Sequence, residues 1–236
     1  MPLKILQKTE TKSYYYRGKK MNILVVGSGY WGKNIVKNYH ELKSLYAICE
    51  RDSEKRKLLS SQYPDAKLYA DYDKALQDKN IDGIAIATPA QTHYSLGKKS
   101  LNSGFPTYIE KPLTLNTEEA IELTNLAEKK RLPLMVGHIL EYHPAVVKLK
   151  ALIDSGEYGN IKHIRCTRVN LGKIRNQENI WWSFAPHDLS IIFTLINEIP
   201  NKIQASSFNP IQDNIEDTVY ADLNFPSGKS AHIHVS

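Results

Sequence analysis

ILVVGSGYWGKN, residues 23 to 34, runs four aliphatic side chains into a turn with three glycines. An unbroken apolar run of that length suits a strand covered on both faces. Ile35, Val36 and Tyr39 then recur at helical spacing, so a first helix is predicted over residues 31–43. Between the two, Gly27, Gly29 and Gly32 take the G-x-G-x-x-G spacing. Gly27 permits the tight turn, Gly29 lets a phosphate approach the backbone, and Gly32 lets helix and strand pack closely. The helix N-terminus adds positive potential, so the group this turn suits is the pyrophosphate of a dinucleotide. Tyr30 and Trp31 stand on the same turn and count among its contacts. A glycine turn in any strand-helix unit has the same spacing, and the rest of the chain must decide.

Glu50, at the end of the second predicted strand, tips the balance. A carboxylate there accepts hydrogen bonds from the adenosine ribose hydroxyls and repels a 2′-phosphate, which favours NAD over NADP. Arg51 beside it can hold that phosphate instead, so the alternative stays open.

Working outward, short β-rich runs alternate with helical ones, the signature of strand-helix-strand units and a parallel sheet. LYAICE, KLYA, IDGIAIAT, PTYIE and LPLMVG read as strands; residues 53–63, 71–78 and 92–103 read as helices between them. Asn116 with Glu119 resembles a capping box for the helix TEEAIELTNLAEKKR. After about residue 138 the texture changes to a helix (PAVVKLKALIDSG), a strand (IKHIRCTRVNLG), and an aromatic loop with Trp181 and Trp182. A helix headed by His187 and antiparallel strands follow. Val219, Ala221, Leu223 and Phe225 share one strand face, and FPSGK reads as a hairpin turn. The expected architecture is α/β: a doubly wound parallel sheet of Rossmann type over residues 21–138, then an α+β, mainly antiparallel part over 139–236. KSAHIHVS is strand-like to Ser236 with no closing element, so an unpaired edge is expected there, from a truncated chain or one covered by partner subunits.

Composition bounds the function. Hydrophobic residues make up 42% of the 236 and charged ones 24%, which excludes a disordered or fibrous chain. No segment approaches the ~18 uninterrupted apolar residues of a membrane helix, and the N-terminus lacks the apolar stretch of a secretory signal. The cytoplasm is the expected compartment. Cys49 and Cys166 fall in separate strands and read as small core residues in a reducing environment. The net charge is +6, but residues 1–20 hold six Lys/Arg and one Glu. The basic charge is thus a leader, expected as a mobile tail upstream of Met21, and the nearly neutral body argues against nucleic-acid binding.

Two more clusters follow strand ends: TPAQTH at Thr88 to His93, and YIEKP at Tyr108 to Pro112. Both lie where a doubly wound sheet opens its ligand crevice. With the glycine turn, this arrangement resembles the glucose-fructose oxidoreductase and inositol dehydrogenase (Gfo/Idh/MocA) family, whose E-K-P stands here as Glu110, Lys111 and Pro112. The stretches GYWGKN, NLGKIR and WWSFAPHDLS are most similar to members acting on nucleotide sugars, particularly UDP-linked 2-acetamido sugars or their uronic acids. The resemblance implies an open-faced second sheet that packs against another subunit, hence a homodimer or homotetramer. It also implies more chain than ends at Ser236.

What it implies for chemistry is an NAD-dependent dehydrogenase acting on a secondary hydroxyl. Oxidation needs a group within ~3 Å of the hydroxyl oxygen to orient it and take its proton. Lys111 is that group by resemblance, and His187 matches the histidine of the family's D-x-x-x-H pattern. Ser183 occupies the Asp position, which leaves Lys111 and His187 to divide the acid-base work. Thr88, Pro89, His93 and Glu110 are expected to line the cofactor with Lys111. For the substrate, Arg168, Asn170, Lys173 and Arg175 offer charge and hydrogen bonds, Trp181 or Trp182 a stacking face, and His143 with Tyr142 further contacts. His232 and His234 share a strand face without Cys or carboxylate partners nearby, so no metal is assigned. A dinucleotide-binding sensor or scaffold without turnover is the rival reading, motivated by Ser183.

Overall fold

The computed structural model describes residues 20–170 and 179–236. The basic leader, apart from Lys20, and the substrate candidates Lys173 and Arg175 lie outside the described residues. The strands are β1 (Ile23–Val26), β2 (Leu45–Cys49), β3 (Lys67–Tyr69), β4 (Gly83–Ile86), β5 (Thr107–Ile109), β6 (Leu134–Val136), β7 (His163–Arg168), β8 (Lys202–Phe208), β9 (Thr218–Asn224) and β10 (Ser230–Val235). The helices are α1 (Gly32–Glu41), α2 (Ser53–Gln62), α3 (Tyr72–Ala75), α4 (His93–Asn102), α5 (Thr117–Lys130), α6 (Pro144–Asp154) and α7 (Ile180–Ile196). By internal contacts the chain forms two compact units. One runs to Thr88 and includes Lys99–Thr107; the other is Pro89–Lys98 with Tyr108–Ser236.

β1 to β6 make one six-stranded parallel sheet in the order β3-β2-β1-β4-β5-β6, the doubly wound order with its reversal beside β1. All four residues of β1 and of β4 are buried, as an apolar run covered on both faces requires. Helix starts follow side-chain caps: Asp52 accepts from the backbone N–H of Glu54 and Lys55, and Asn116 from that of Glu119 at 2.9 Å. One helix is shorter than the pattern 71–78 suggests. α3 ends at Ala75 because Asp78 turns the chain: its Oδ1 accepts from the Asn80 N–H while Oδ2 takes the hydroxyls of Tyr46 and Tyr69.

The second sheet has the order β7-β10-β9-β8. β10 pairs antiparallel with β9 and parallel with β7, so the strand expected to carry the open edge is interior. The edges are β7 and β8, and every residue of β8 is exposed. The expected open edge is missing because β7 pairs with a strand more than sixty residues later. Val219, Ala221 and Leu223 of β9, Phe225 just after it, and Ala231, Ile233 and Val235 of β10 pack with Ala185, Ile192 and Ile196 of α7.

α7 also corrects the sequence reading. It begins at Ile180, so Trp181 and Trp182 lie in its first turn and not in a loop, and His187 sits mid-helix. Pro186 lies inside this helix, although a proline there removes a hydrogen bond and costs ~3 kcal/mol. Ile192, Leu195 and Ile196 are nearly fully buried, each worth about 1.5–3 kcal/mol, and that anchoring outweighs the loss. Asn179 marks the true start, its side chain accepting from the Trp182 N–H at 3.1 Å.

Candidate functional site

In the first unit the glycine turn is shaped by three separate constraints. Gly27 has φ +89°, and a Cβ there would also press to 2.9 Å on the Ala87 carbonyl oxygen. A Cβ at Gly32 would stand 2.3 Å from the Gly27 carbonyl oxygen. Gly29 meets nothing within 4 Å, so a side chain there would occupy only the open space above the turn. That cradle, bounded by backbone and left clear at Gly29, fits a pyrophosphate. Tyr30 (89% exposed) and Trp31 stand outward on the same turn.

Glu50 closes the turn from β2. One carboxylate oxygen accepts from both the N–H (3.0 Å) and the hydroxyl (2.6 Å) of Ser28, and the other from the Asp52 N–H. Partial burial would raise this carboxyl, but those hydrogen bonds outweigh it and hold Glu50 below the usual carboxylate range. It is therefore an anion positioned 22 residues after Ser28, as a ribose acceptor needs to be. Arg51 is exposed, its carbonyl taken by Arg56.

In the second unit the Lys111 amine donates to the Ser183 carbonyl at 3.0 Å, one turn before His187 on α7. The peptide Lys111–Pro112 is cis, and the Pro112 carbonyl meets His93 Nδ1 at 2.7 Å. His93, expected to line a cofactor, is only 1% exposed. Its ring holds the Lys111–Pro112 loop through that contact. Glu110 is also buried, with Oε1 accepting from the Tyr108 hydroxyl and Oε2 from the Lys111 N–H. A Cβ at Gly137 would lie 2.9 Å from Glu110 Oε2, so only glycine lets the end of β6 come this close. That approach delivers His138.

His138 escaped the sequence reading, although its place directly after a parallel strand's C-terminal end was a usable signal. Its ring is pushed below the ordinary histidine value by burial, with Lys111 adding to the fall and Glu110 opposing it. His187 is pushed down further, to about 4, by burial first and then by the charges of Lys111 and Arg168, with Asp188 opposing. These dependences bring Lys111, His138 and His187 into one electrostatic cluster.

The remaining candidates divide. Arg168, expected to meet substrate, is committed to buried Asp188 through Nε and Nη2, each at 2.9 Å. That pairing raises its already high affinity for a proton. Asn170 is exposed and its N–H donates to the Ser236 carbonyl. His143 caps α6, its Nδ1 accepting from the Ala145 N–H, and Tyr142 beside it is exposed. Thr88 is half-buried and Pro89 exposed. Trp181 packs on the core of the second unit. Trp182 instead lines a hollow of about 290 Å³ with Gln91, Leu115, Asn179, Asn214 and Glu216. His232 pairs with Asp222 and His234 stacks on Tyr220 at 4.4 Å. Among the described residues no group of three or more His, Cys, Asp or Glu is placed to hold a metal ion.

Comparison with known proteins gives the family. The sequence model of the oxidoreductase family with NAD-binding Rossmann fold, Gfo/Idh/MocA, matches residues 21–138, and that of the Gfo/Idh/MocA C-terminal domain matches 146–236. The chain is 25% identical over 213 residues to a UDP-N-acetylglucosamine 3-dehydrogenase of Acidithiobacillus ferrooxidans, covering 90% of this chain and 66% of that one. The solved structure of that enzyme superposes with a TM-score of 0.82 at 25% identity, over 92% of this chain and 69% of the other. An inositol 2-dehydrogenase of Corynebacterium glutamicum is 26% identical over 180 residues, 74% of this chain and 53% of its own. The chain thus spans about a third to two thirds of the length of the curated relatives it matches.

Proposed function

The chain belongs to the Gfo/Idh/MocA oxidoreductase family, and from that premise we propose an NAD-dependent dehydrogenase that oxidises a secondary hydroxyl of a nucleotide-linked sugar. The reading assigns residues 21–138 to cofactor binding and 139–236 to substrate and subunit contacts. Gly27, Gly29 and Gly32 hold the pyrophosphate, and Glu50 takes the ribose hydroxyls. A hydrogen-bonded anion at that point repels a 2′-phosphate, which supports NAD over NADP. Bound NAD would supply the acceptor for the hydrogen and electron pair leaving the carbon. The chain's own task is the oxygen, where Lys111 and His187 orient the hydroxyl and remove its proton.

The single observation that carries this reading is the Lys111 amine fastened one turn ahead of His187. For the substrate, support comes from the relative that acts on UDP-N-acetylglucosamine and from the hollow at Trp182, where a ring face stands beside Asn179, Glu216 and Gln91. Cys49 and Cys166 are free thiols on separate strands, which suits the cytoplasm. Outward on the second sheet, Phe208, Tyr220 and His234 form an aromatic row that supports association into a dimer or tetramer.

The test is direct. Purified protein is mixed with NAD and a panel of UDP-linked 2-acetamido sugars and their uronic acids, and reduction of the nicotinamide is followed by absorbance. Reduction by at least one of them is expected. Calorimetric binding of NAD with no reduction by any member would replace the enzyme with a dinucleotide-binding sensor.

A further inference from the structure

The imidazoles of His138 and His187 each bury Nδ1 with no hydrogen-bond partner among the described residues. Either tautomer leaves such a nitrogen unpaired, but the neighbouring Lys111 charge, joined at His187 by Arg168, favours a lone pair there over an N–H, and a second proton would add a buried charge. The hydrogen bonds described for the carboxylates nearest either ring go to other donors. Asp188 gives both oxygens to Arg168, and Glu110 divides its oxygens between the Tyr108 hydroxyl and the Lys111 N–H. The other charged groups facing His187 are the Lys111 amine, the Arg168 guanidinium and His138 itself, all of which oppose a positive ring. Position 183 lies on the same face of α7, one turn before His187, where a carboxylate could reach the ring. It holds the buried Ser183 instead.

We propose that Ser183 has turned His187 from a base into a neutral donor: its one ring proton stays on Nε2, which hydrogen-bonds the reacting oxygen, and Lys111 alone accepts the proton. This rests on the dehydrogenase reading above. In the step, the carbon loses its hydrogen with the bonding pair to the nicotinamide. Lys111 first gives up its own proton to solvent; the hydroxyl proton then passes to the neutral amine, which becomes an ammonium again, and the carbon-oxygen double bond forms. His187 keeps its proton throughout, and His138 shares its tautomer.

Nitrogen-15 NMR of histidine-labelled protein tests this, with His187→Gln and His138→Gln assigning the two signals. Both rings are expected to show an unprotonated Nδ1, and His187 no titration between pH ~5 and 8, where an ordinary histidine titrates. Ser183→Asp supplies the missing acceptor, so the His187 midpoint should rise by about 1–3 units. With substrate, kcat/KM of that variant should gain a second acid limb, a further fall of about tenfold per pH unit beyond the one that protonation of Lys111 gives the wild type. A proton on His187 Nδ1 in the wild type, titration of its ring near neutrality, or an unmoved midpoint in the variant would overturn the proposal. The wild-type spectrum decides the matter even if Ser183→Asp fails to fold. None of the NMR outcomes needs turnover, so failure to oxidise any sugar counts against the proposed function and leaves the tautomer to be judged separately.

Discussion

The amine of Lys111 hydrogen-bonds the backbone carbonyl of Ser183 at 3.0 Å, so the main chain of α7 helps to fix the amine's position. Replacing Lys111 should therefore remove chemistry without loosening the fold. Lys111→Ala is expected to lower kcat by ~10²–10⁴-fold, the usual worth of a positioned proton acceptor. Lys111→Arg should do nearly as badly, since a guanidinium keeps the charge but cannot take up a proton. NAD affinity measured by calorimetry should change little in either. An arginine variant with near-normal kcat would mean that charge alone suffices at this position.

Two glycines of the same turn should fail in opposite ways. Gly32→Ala drives a methyl to within 2.3 Å of the Gly27 carbonyl oxygen, so α1 must shift and thermal stability should drop, by ~1–3 kcal/mol for overpacking. Gly29→Ala meets no atom within 4 Å and should fold normally. Its methyl stands where the pyrophosphate is proposed to lie, so NAD binding should weaken at least tenfold in calorimetry. Unchanged NAD affinity in Gly29→Ala would move the phosphate site elsewhere.

The Arg168–Asp188 pair is asymmetric in burial, with side-chain exposures of 34% and 7%. Arg168→Ala strands a buried carboxylate and should cost about 3–5 kcal/mol in urea unfolding. Asp188→Ala leaves a guanidinium that water can reach, and should cost less, about 1–2 kcal/mol. The double substitution should recover part of the larger loss. Equal costs for the two single variants would show that the pair is solvated alike on both sides.

On the outer face of the second sheet, the Phe208 ring stands edge-on to Tyr220 at 6.3 Å, and Tyr220 stacks on His234. Phe208→Glu with Tyr220→Glu places two charges on the proposed contact without entering the core under α7. The mass in light scattering should fall toward that of a single chain while circular dichroism stays the same. A single-chain mass in the wild type would remove this face from the list of interfaces.

The first sheet was legible because its strands are local statements: apolar runs bounded by glycines, caps such as Asn116, and a glycine spacing that marks a strand-to-helix turn. The second was legible only in part. Pairing of β10 with β7 is set by packing across distant sequence, and alternation in KSAHIHVS reports a strand but not its neighbours. The early start of α7 was missed for a related reason, since the burial of Ile192 and Ile196 carries a helix that contains Pro186. Lys111 and His187 were named from motif resemblance. The commitment of Arg168 to Asp188 and the burial of His93 depend on which face each side chain meets, and no spacing encodes that.

The depressed rings predict a specific acid weakness. An unfolded histidine takes its proton near pH ~6.5. His187 in the folded state does so only at about 4, because burial and the neighbouring Lys111 and Arg168 charges disfavour the imidazolium. Between those values the unfolded chain binds one more proton than the folded one, so stability rises with pH across the window. The contribution is complete above pH ~6.5, is lost as pH falls, and levels off below about 4. The full shift corresponds to ~3 kcal/mol, and the partial access of water to the ring reduces this to about 1–2 kcal/mol. His138 shifts in the same direction and adds to the slope. Glu50, lowered by its Ser28 bonds, withdraws its own contribution only at more acid pH, as it falls through the carboxylate range. Urea midpoints measured from pH 7 to 4 should therefore decline in the wild type and decline less in His187→Gln, whose side chain does not titrate. Parallel declines in the two proteins would place the acid sensitivity outside this ring.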